Sequence, residues 1–522
     1  MSEKSAIDQA VDVAVIGSGF GGAAVACRLA QAGYSVAVLE QGKEYPTGRG
    51  EYDVTGNGIA TVRHGHFWVD IGYGMNVVRG IGVGGGSLHY FGVRLRTRPE
   101  IFEDPRWPAS ITREVLDPYY DLAGEMLPAW EAKPHPVVGP SAHGEAFMAA
   151  ARECRRCKSE PRYVPIAVNT GREPVPTHAG VPQTRCTYCG ECLIGCPPSQ
   201  SFVGNVNARG LLTLNYLAVA RQHGAVIYPQ HRALQVRKVQ APDGYDFRVD
   251  VAHLRNVESE ESERTISSGV LRAKRAVLAG GTMGTVDLLL KSKDFLPEMS
   301  SRIGHYFSGN GDFLIPKTVG TPMNLRPTSG PTITAGADFS TDENWIYIED
   351  LGLIPFAEAI LGTRAISVAA EDPYQMGYLG MGTDAANGIL ALKDGRLRLF
   401  WDPTKSMGLY TQITEALREM SQMLGGTYAK PETYNPIIGT GLITAHPLGG
   451  AVLSDTAETG VVDQKGEVHG VGGLFVADGS LMPTALATNP SYTITALAER
   501  VAFWMINDRD MKPNDPARPK NP

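Results

Sequence analysis

Val11-Asp-Val-Ala-Val-Ile16 is a strand-like apolar run that leads directly into Gly17-Ser-Gly19-Phe-Gly21-Gly22. An Ala-rich segment through Ala32 reads as a helix, and Ser35-Val-Ala-Val-Leu-Glu40 as the next strand. Strand, glycine turn, helix, strand and terminal acid in this order predict a βαβ dinucleotide-binding unit. Gly17 permits the tight turn, Gly19 lets backbone approach a pyrophosphate, and Gly22 lets helix pack on strand. Phe20 belongs to the same cofactor-facing turn. The helix N-terminus faces the phosphates with its favourable dipole end. Glu40 closes the second strand, where a carboxylate can accept both ribose hydroxyls. A site this near the start of the chain favours FAD over a nicotinamide.

Working outward, the chain has 522 residues and a net charge of −7, which argues against a nucleic-acid binder. A chain of this length exceeds one small core, so joined domains are expected. No stretch is apolar for long enough to span a bilayer. Met1 to Val11 carries acids and lacks an apolar signal core, so the expected location is cytoplasmic. The segment 509–522, rich in Pro, Asn, Lys and Asp, is expected to be disordered.

Arg79-Gly-Ile-Gly-Val-Gly-Gly-Gly-Ser87 suits a loop wrapped around a flat cofactor, with Gly84, Gly85, Gly86 and Ser87 nearest to it. Residues 111 to 155 read as helical, with a helix opening at Leu116, and 158 to 200 as loop. Strand-like runs at 225–228, 233–239, 245–253 and 276–279 suggest a β-meander returning to the first sheet. Residues 310 to 440 alternate strand-like runs with a helix at 409–424. Gly473 to Gly479 returns to nucleotide-domain character, followed by a helix from about Thr493.

These motifs resemble the glucose–methanol–choline (GMC) oxidoreductase family, in particular its cholesterol-oxidase-like bacterial branch. The likeness rests on Gly17 to Gly22, Gly82 to Ser87, Val277-Leu-Ala-Gly-Gly-Thr-Met-Gly284, His446-Pro-Leu-Gly-Gly450, and Asp478-Gly-Ser480 through Asn489-Pro490. It implies an α/β (α+β overall) GMC fold: a Rossmann-type FAD domain and a mostly antiparallel sheet domain capped by helices. The expected division is 8–110, 200–309 and 441–508 for FAD binding, 310–440 for substrate, and 111–199 as a helical, cysteine-rich insertion.

The resemblance also implies non-covalent FAD and alcohol oxidation by hydride transfer to flavin N5. His446 stands at the family's active-site histidine, and Asn489 where the cholesterol-oxidase branch has asparagine. His446 can take the hydroxyl proton, whereas Asn489 can only orient. Glu349 resembles the glutamate that such relatives use to move a proton during double-bond isomerisation; the bland alternative is a sheet-edge acid. Asp478 and Gly479 are expected at the pyrophosphate or ribityl chain, and Pro490 with the helix start beside the flavin C2 carbonyl. Tyr90 fills a place where relatives often carry asparagine. For His89 and His305 an ordinary structural role is expected.

Cys186, Cys189, Cys192 and Cys196-Pro197 have the bacterial ferredoxin spacing, which favours a [4Fe-4S] or [3Fe-4S] cluster over zinc. In ferredoxins the fourth cysteine of this run serves another cluster, so Cys154, Cys157 and Cys196 are all open as a fourth ligand. Some multi-subunit GMC dehydrogenases resemble this chain in carrying such a cluster. Reduced structural thiols are the alternative, and Cys27 reads as core. A cluster would pass electrons to an external quinone, cytochrome or ferredoxin.

The leading expectation is an FAD-dependent dehydrogenase or oxidase for a hydrophobic alcohol, with a cyclic or sterol-like one as the candidate. Trp345, Tyr347, Leu351, Leu353, Ile354, Phe356 and Ile360 are candidate pocket residues. Alternatives are an oxygen-using oxidase with isomerase activity, a flavin-dependent lyase, isomerase or decarboxylase, and a non-catalytic electron carrier.

Overall fold

A computed structural model describes residues 7–45, 61–64, 67–132, 139–193, 196, 207–255, 263–353, 372–429 and 442–507. The expected disordered tail and the apolar candidates Ile354, Phe356 and Ile360 lie outside these residues.

A seven-stranded sheet holds the nucleotide unit. Its order is Val226–Tyr228, Val36–Leu39, Asp8–Ile16, Arg264–Leu278, Phe247–Arg255 and His231–Lys238, with Leu474–Val476 also pairing Arg264–Leu278. The pairings among Val226–Tyr228, Val36–Leu39, Asp8–Ile16, Arg264–Leu278 and Leu474–Val476 are parallel, and the two that carry the meander are antiparallel. Val11 to Ile16 are all buried, which explains an unbroken apolar run instead of alternation. Sequence reading placed the return strand at 276–279, but it spans Arg264–Leu278. Its first part completes the meander; its last part lies between Asp8–Ile16 and Leu474–Val476.

The first helix, Phe20–Gln31, begins at Gly19 with no side chain capping it. Its leading N–H groups are therefore available to an anion. A Cβ on Gly22 would stand 2.0 Å from Gly17 O, and one on Gly21 would stand 1.5 Å from Ala477 O. Both glycines thus permit close packing of helix on sheet. Arg28 of this helix forms a 2.7 Å ion pair with Glu499 of the helix Ser491–Asn507, joining the two ends of the described chain.

A second, six-stranded antiparallel sheet runs Thr427–Ala429, Phe313–Val319, Gln375–Gly382, Ile346–Leu351, Ala335–Asp338 and Arg162–Tyr163. Helices Met407–Met423 and Ala142–Glu153 pack against it. It recruits Arg162–Tyr163, so its membership extends beyond 310–440 into the expected insertion. The helix expected from Leu116 begins at Arg113, where the Thr112 hydroxyl accepts from Val115 N. Residues 127–132 leave the helical path, and Trp130–Glu131 pairs Pro165–Ile166 instead. Residues 211–223 form a short 3-10 turn, Leu212–Leu214, and a helix, Tyr216–Gln222.

A smaller sheet positions the catalytic candidates. Ile443–Thr444 pairs in parallel with Asn76 and Val77 at the start of the strand Asn76–Gly80. One strand leads to the glycine loop and the other to His446, so both emerge from the same sheet.

Candidate active site

The two large sheets meet at a cavity of about 1240 Å³. Gly17, Gly19, Phe20 and Glu40 line one end, and His446, Asn489 and Pro490 line the other. Asp478 and Gly479 lie on its wall, as does Tyr90. Gly85 and Gly86 line it too, whereas Gly84 and Ser87 do not. Ser87 Oγ donates to Gly84 O at 2.8 Å, and Leu212 N donates to Ser87 Oγ at 3.3 Å, so these two shape the loop from behind. Gly22 also lies behind the cavity, against Gly17.

Glu40 is buried. Its carboxylate accepts from Ser18 Oγ at 2.7 Å, Ser18 N at 3.2 Å and Gly42 N at 2.9 Å. Burial raises its pKa, while these donors act in the opposite direction. Asp478 Oδ2 accepts from Thr285 Oγ1 at 2.5 Å, and its Oδ1 accepts from Ser480 N at 2.9 Å. That arrangement fixes the turn where Leu474–Val476 ends.

At the other end, His446 Nδ1 lies 2.8 Å from Oδ1 of the fully buried Asp312. Asp312 Oδ2 also accepts from Thr444 Oγ1 and Ala445 N, each at 2.9 Å. A carboxylate oxygen accepts, so Nδ1 donates, and in the neutral imidazole it is Nε2 that carries the lone pair. His446 lines the cavity, so a substrate hydroxyl can meet a basic nitrogen there. Sequence reasoning missed Asp312; its signal was a lone acid in Gly309-Asn-Gly-Asp312.

Asn489 is also held in place. Asn310 Oδ1 accepts from Leu486 N at 2.8 Å and Ala487 N at 3.1 Å, and its Nδ2 donates to Thr488 O at 2.9 Å. Asn489 Nδ2 donates to Glu349 Oε2 at 3.2 Å. Glu349 is buried behind Asn489 and does not itself line the cavity. Glu349 Oε1 and Asn489 Oδ1 have no hydrogen-bond partner among the described residues. Buried polar atoms are rarely left so, which fits a site completed by a ligand.

Burial, followed by the nearby Asp350 and Asp312, holds the Glu349 carboxyl well above the ordinary carboxylate range, although Asn489 opposes this. The folded protein therefore retains this proton to a higher pH than the unfolded chain. The resulting stability is full below the reference value of 4.5 and is lost as pH rises through the folded value. Glu349→Gln stays neutral throughout. Its melting temperature relative to the parent protein is expected to rise from about pH 5 to about pH 8. An unchanged difference across that range would show that Glu349 is already ionised when folded.

The chamber beside His446 is apolar, with Phe91, Leu193, Leu314, Leu351, Leu353 and Leu379 on its walls. Of the predicted apolar set, Leu351 and Leu353 are there. Trp345 instead lies under the Arg98 guanidinium, 3.9 Å from the ring, and Tyr347 does not line the cavity. Leu193 was not anticipated; it comes from the cysteine loop. Tyr90 donates to Gly210 O at 2.7 Å and packs edge-on against Phe20, with centroids 5.2 Å apart. His89 also lines the cavity, and His305 does not.

Cys186, Cys189, Cys192 and Cys196 all face one small cavity of about 10 Å³. Cys154 and Cys157 do not line it, so Cys196 completes the set of four thiols. Tyr188 N donates to Cys186 Sγ at 3.4 Å. Among the described residues, no three His, Cys, Asp or Glu side chains are gathered so as to hold a metal ion. Burial pushes Cys189 up to about 11 and Cys186 well above the ordinary thiol value.

The comparisons with known proteins agree with this geometry. The GMC oxidoreductase family profile matches residues 429–498, which include His446 and Asn489, and an NAD(P)-binding Rossmann-like profile matches 15–91. A cholesterol oxidase of Acinetobacter baumannii is 26% identical, over 95% of this chain and 94% of its own length. A cholesterol oxidase of Mycobacterium tuberculosis is 27% identical, over 96% and 92%.

The chain resembles the GMC oxidoreductases.

That likeness supports an FAD-dependent enzyme of the alcohol-oxidising class. Another relative, a paromamine 6'-oxidase of Streptomyces fradiae, is 24% identical over 96% of this chain and 92% of its own. The fold is shared with formate oxidase of Aspergillus oryzae, at a TM-score of 0.65 and 13% identity, over 97% of this chain and 99% of that one. It is also shared with a pyridoxine 4-oxidase from Mesorbium loti, at 0.58 and 17%, over 94% and 98%. The cavity fits FAD: uncapped helix N–H groups and glycine backbone stand at one end, and the histidine and asparagine at the other. Among the described residues, no helix is long and apolar enough to cross a membrane.

Proposed function

We propose that this protein oxidises the CH–OH group of a hydrophobic alcohol, of cyclic or sterol-like shape. The observation that carries this reading is the Asp312-oriented His446 lining the same chamber as Leu314, Leu351 and Leu379. An apolar chamber excludes water and holds a bulky hydrocarbon body, while a few placed polar groups orient its hydroxyl. His446 Nε2 accepts the hydroxyl proton, and Asp312 stabilises the resulting imidazolium. Asn489 orients the hydroxyl. When bound, FAD supplies a two-electron acceptor that takes the carbinol hydride at flavin N5. Gly17, Gly19, Phe20, Glu40, Gly85, Gly86, Asp478, Gly479 and Pro490 hold that cofactor, with Gly22, Gly84 and Ser87 supporting its loops. In this reading, 8–110, 200–309 and 441–508 serve FAD, and 310–440, with Arg162–Tyr163, covers the substrate.

We also propose that the four cysteines hold an iron–sulfur cluster that delivers electrons to an external acceptor. Its support is the convergence of all four thiols on one cavity and the N–H···S bond to Cys186. Four cysteines in the spacing Cys186-x2-Cys189-x2-Cys192-x3-Cys196 suit a cluster better than zinc, whose structural sites use two separated Cys pairs. The competing reading is a direct oxidase with isomerase activity, favoured by the Glu349–Asn489 contact.

Anaerobic mixing with cyclic and sterol alcohols, set against short linear ones, tests the substrate: flavin bleaching is expected only with the former. Equal bleaching by ethanol would overturn the hydrophobic assignment. Iron and acid-labile sulfide at about three or four per flavin are expected in anaerobically purified protein. Iron-free protein that consumes oxygen during turnover would instead establish the direct oxidase.

A further inference from the structure

Arg209 is 1% exposed, yet its guanidinium faces no carboxylate within ion-pair distance among the described residues. It donates to two backbone carbonyls only: Nη2 to Leu88 O at 2.7 Å and Nη1 to Tyr90 O at 3.1 Å. Its Nε has no hydrogen-bond partner among the described residues. Arginine does not lose its proton in a protein, so this is a permanent buried charge. Such a charge is costly unless something opposes it. The side chain lines the cysteine cavity and not the flavin cavity. The groups that share its cavity are Cys186, Cys189, Cys192 and Cys196, together with Glu191.

We propose that Arg209 is the counter-charge of an anionic sulfur centre at these four cysteines and ties that centre to the flavin-facing loop. This rests on the iron–sulfur reading above. Four thiolates outweigh the positive charge of an iron–sulfide core, so such a centre is anionic and supplies what Arg209 lacks. The two carbonyls that Arg209 grips close the turn Gly85–Leu88 and flank His89. Gly85, Gly86, His89 and Tyr90 line the flavin cavity. One guanidinium therefore touches both the cysteine site and the loop under the flavin. Leu193, next to Cys192, reaches the substrate chamber, so the same site also supports part of its wall. Arg209 is thus a positioning residue with an electrostatic role.

The test compares the flavin-loaded parent protein with Arg209→Gln and Arg209→Lys, each reconstituted anaerobically with ferrous iron and sulfide. Gln keeps a donor for the carbonyls and loses the charge; Lys keeps the charge. Iron affinity of R209Q is expected to fall roughly 10- to 100-fold, as for other outer partners of metal sites, with R209K close to the parent. The midpoint potential of any cluster that remains in R209Q, read by absorption and EPR during redox titration, is expected to fall below that of the parent. Removing a cation makes adding an electron harder.

Parent-like iron affinity and potential in R209Q would overturn the proposal, as would equal losses in R209Q and R209K, which would indicate a structural role. A parent protein that takes up no iron would overturn the cluster reading itself and the proposal with it. Should R209Q fail to fold, a second comparison decides. In a background with all four cysteines replaced by alanine, the charge faces no thiolate, and adding Arg209→Met is expected to raise the melting temperature. No rise there would overturn the proposal.

Discussion

His446→Gln is expected to slow flavin reduction by roughly 10²- to 10⁴-fold while FAD stays bound. Glutamine can still hydrogen-bond a hydroxyl but cannot take its proton. Its carbonyl or amide can also meet Asp312, so the loop geometry should persist. Rapid anaerobic mixing measures the reduction rate, and the flavin spectrum shows whether cofactor is retained. Asp312→Asn should act in the same direction, by about 10²-fold or more, because a neutral amide no longer fixes the tautomer or stabilises the imidazolium. Both variants together should cost little more than His446→Gln alone, since Asp312 acts through the histidine. If His446→Gln reduces its flavin at the parent rate, another group takes the proton.

The second large effect concerns the cofactor turn. Gly17 has φ +104°, and a Cβ there would lie 2.1 Å from Ala279 O. Gly17→Ala therefore faces both an unfavourable backbone conformation and a collision with main chain that cannot rotate away. A loss of about 3 kcal/mol or more is expected, together with near-complete loss of bound flavin. Gly19→Ala provides the contrast, because a Cβ at Gly19 meets nothing within 4 Å. Its folding should be nearly normal, with the deficit confined to FAD affinity, since Gly19 lines the cofactor cavity. Thermal melting and flavin absorbance separate the two outcomes.

The first βαβ unit was legible in the sequence because every determinant is local: an apolar run, glycines at fixed offsets and an acid at the strand end. The meander and the second sheet were legible as alternating runs. The length of Arg264–Leu278 was not, because its first half is polar and partly exposed and gains strand character only by pairing with Phe247–Arg255. His446 and Asn489 could be placed by motif. Asp312 could not, being 134 residues from His446 in the chain and beside it only in the fold. Arg209 carried no signal either, since an arginine in a loop gives no hint that it will be buried. The division of the glycine loop into Gly85 and Gly86 at the cavity, and Gly84 and Ser87 behind it, depends on which way each backbone group turns. The cysteine spacing suggested a cluster, and only the fold showed that Cys196, and not Cys154 or Cys157, shares a cavity with Cys186, Cys189 and Cys192.

The long strand Arg264–Leu278 also constrains the order of assembly. It separates the first strand from Leu474–Val476, and Ala477 O is what presses on Gly21 of the first helix. The glycine turn therefore leaves the ribosome hundreds of residues ahead of the segment that backs it. Although N-terminal parts of a chain generally fold first during synthesis, this nucleotide fold cannot close on that schedule. Flavin capture is then an event of the finished polypeptide, and a chain that stalls or is clipped before Ser491–Asn507 is left without its cofactor grip and with its apolar chamber open.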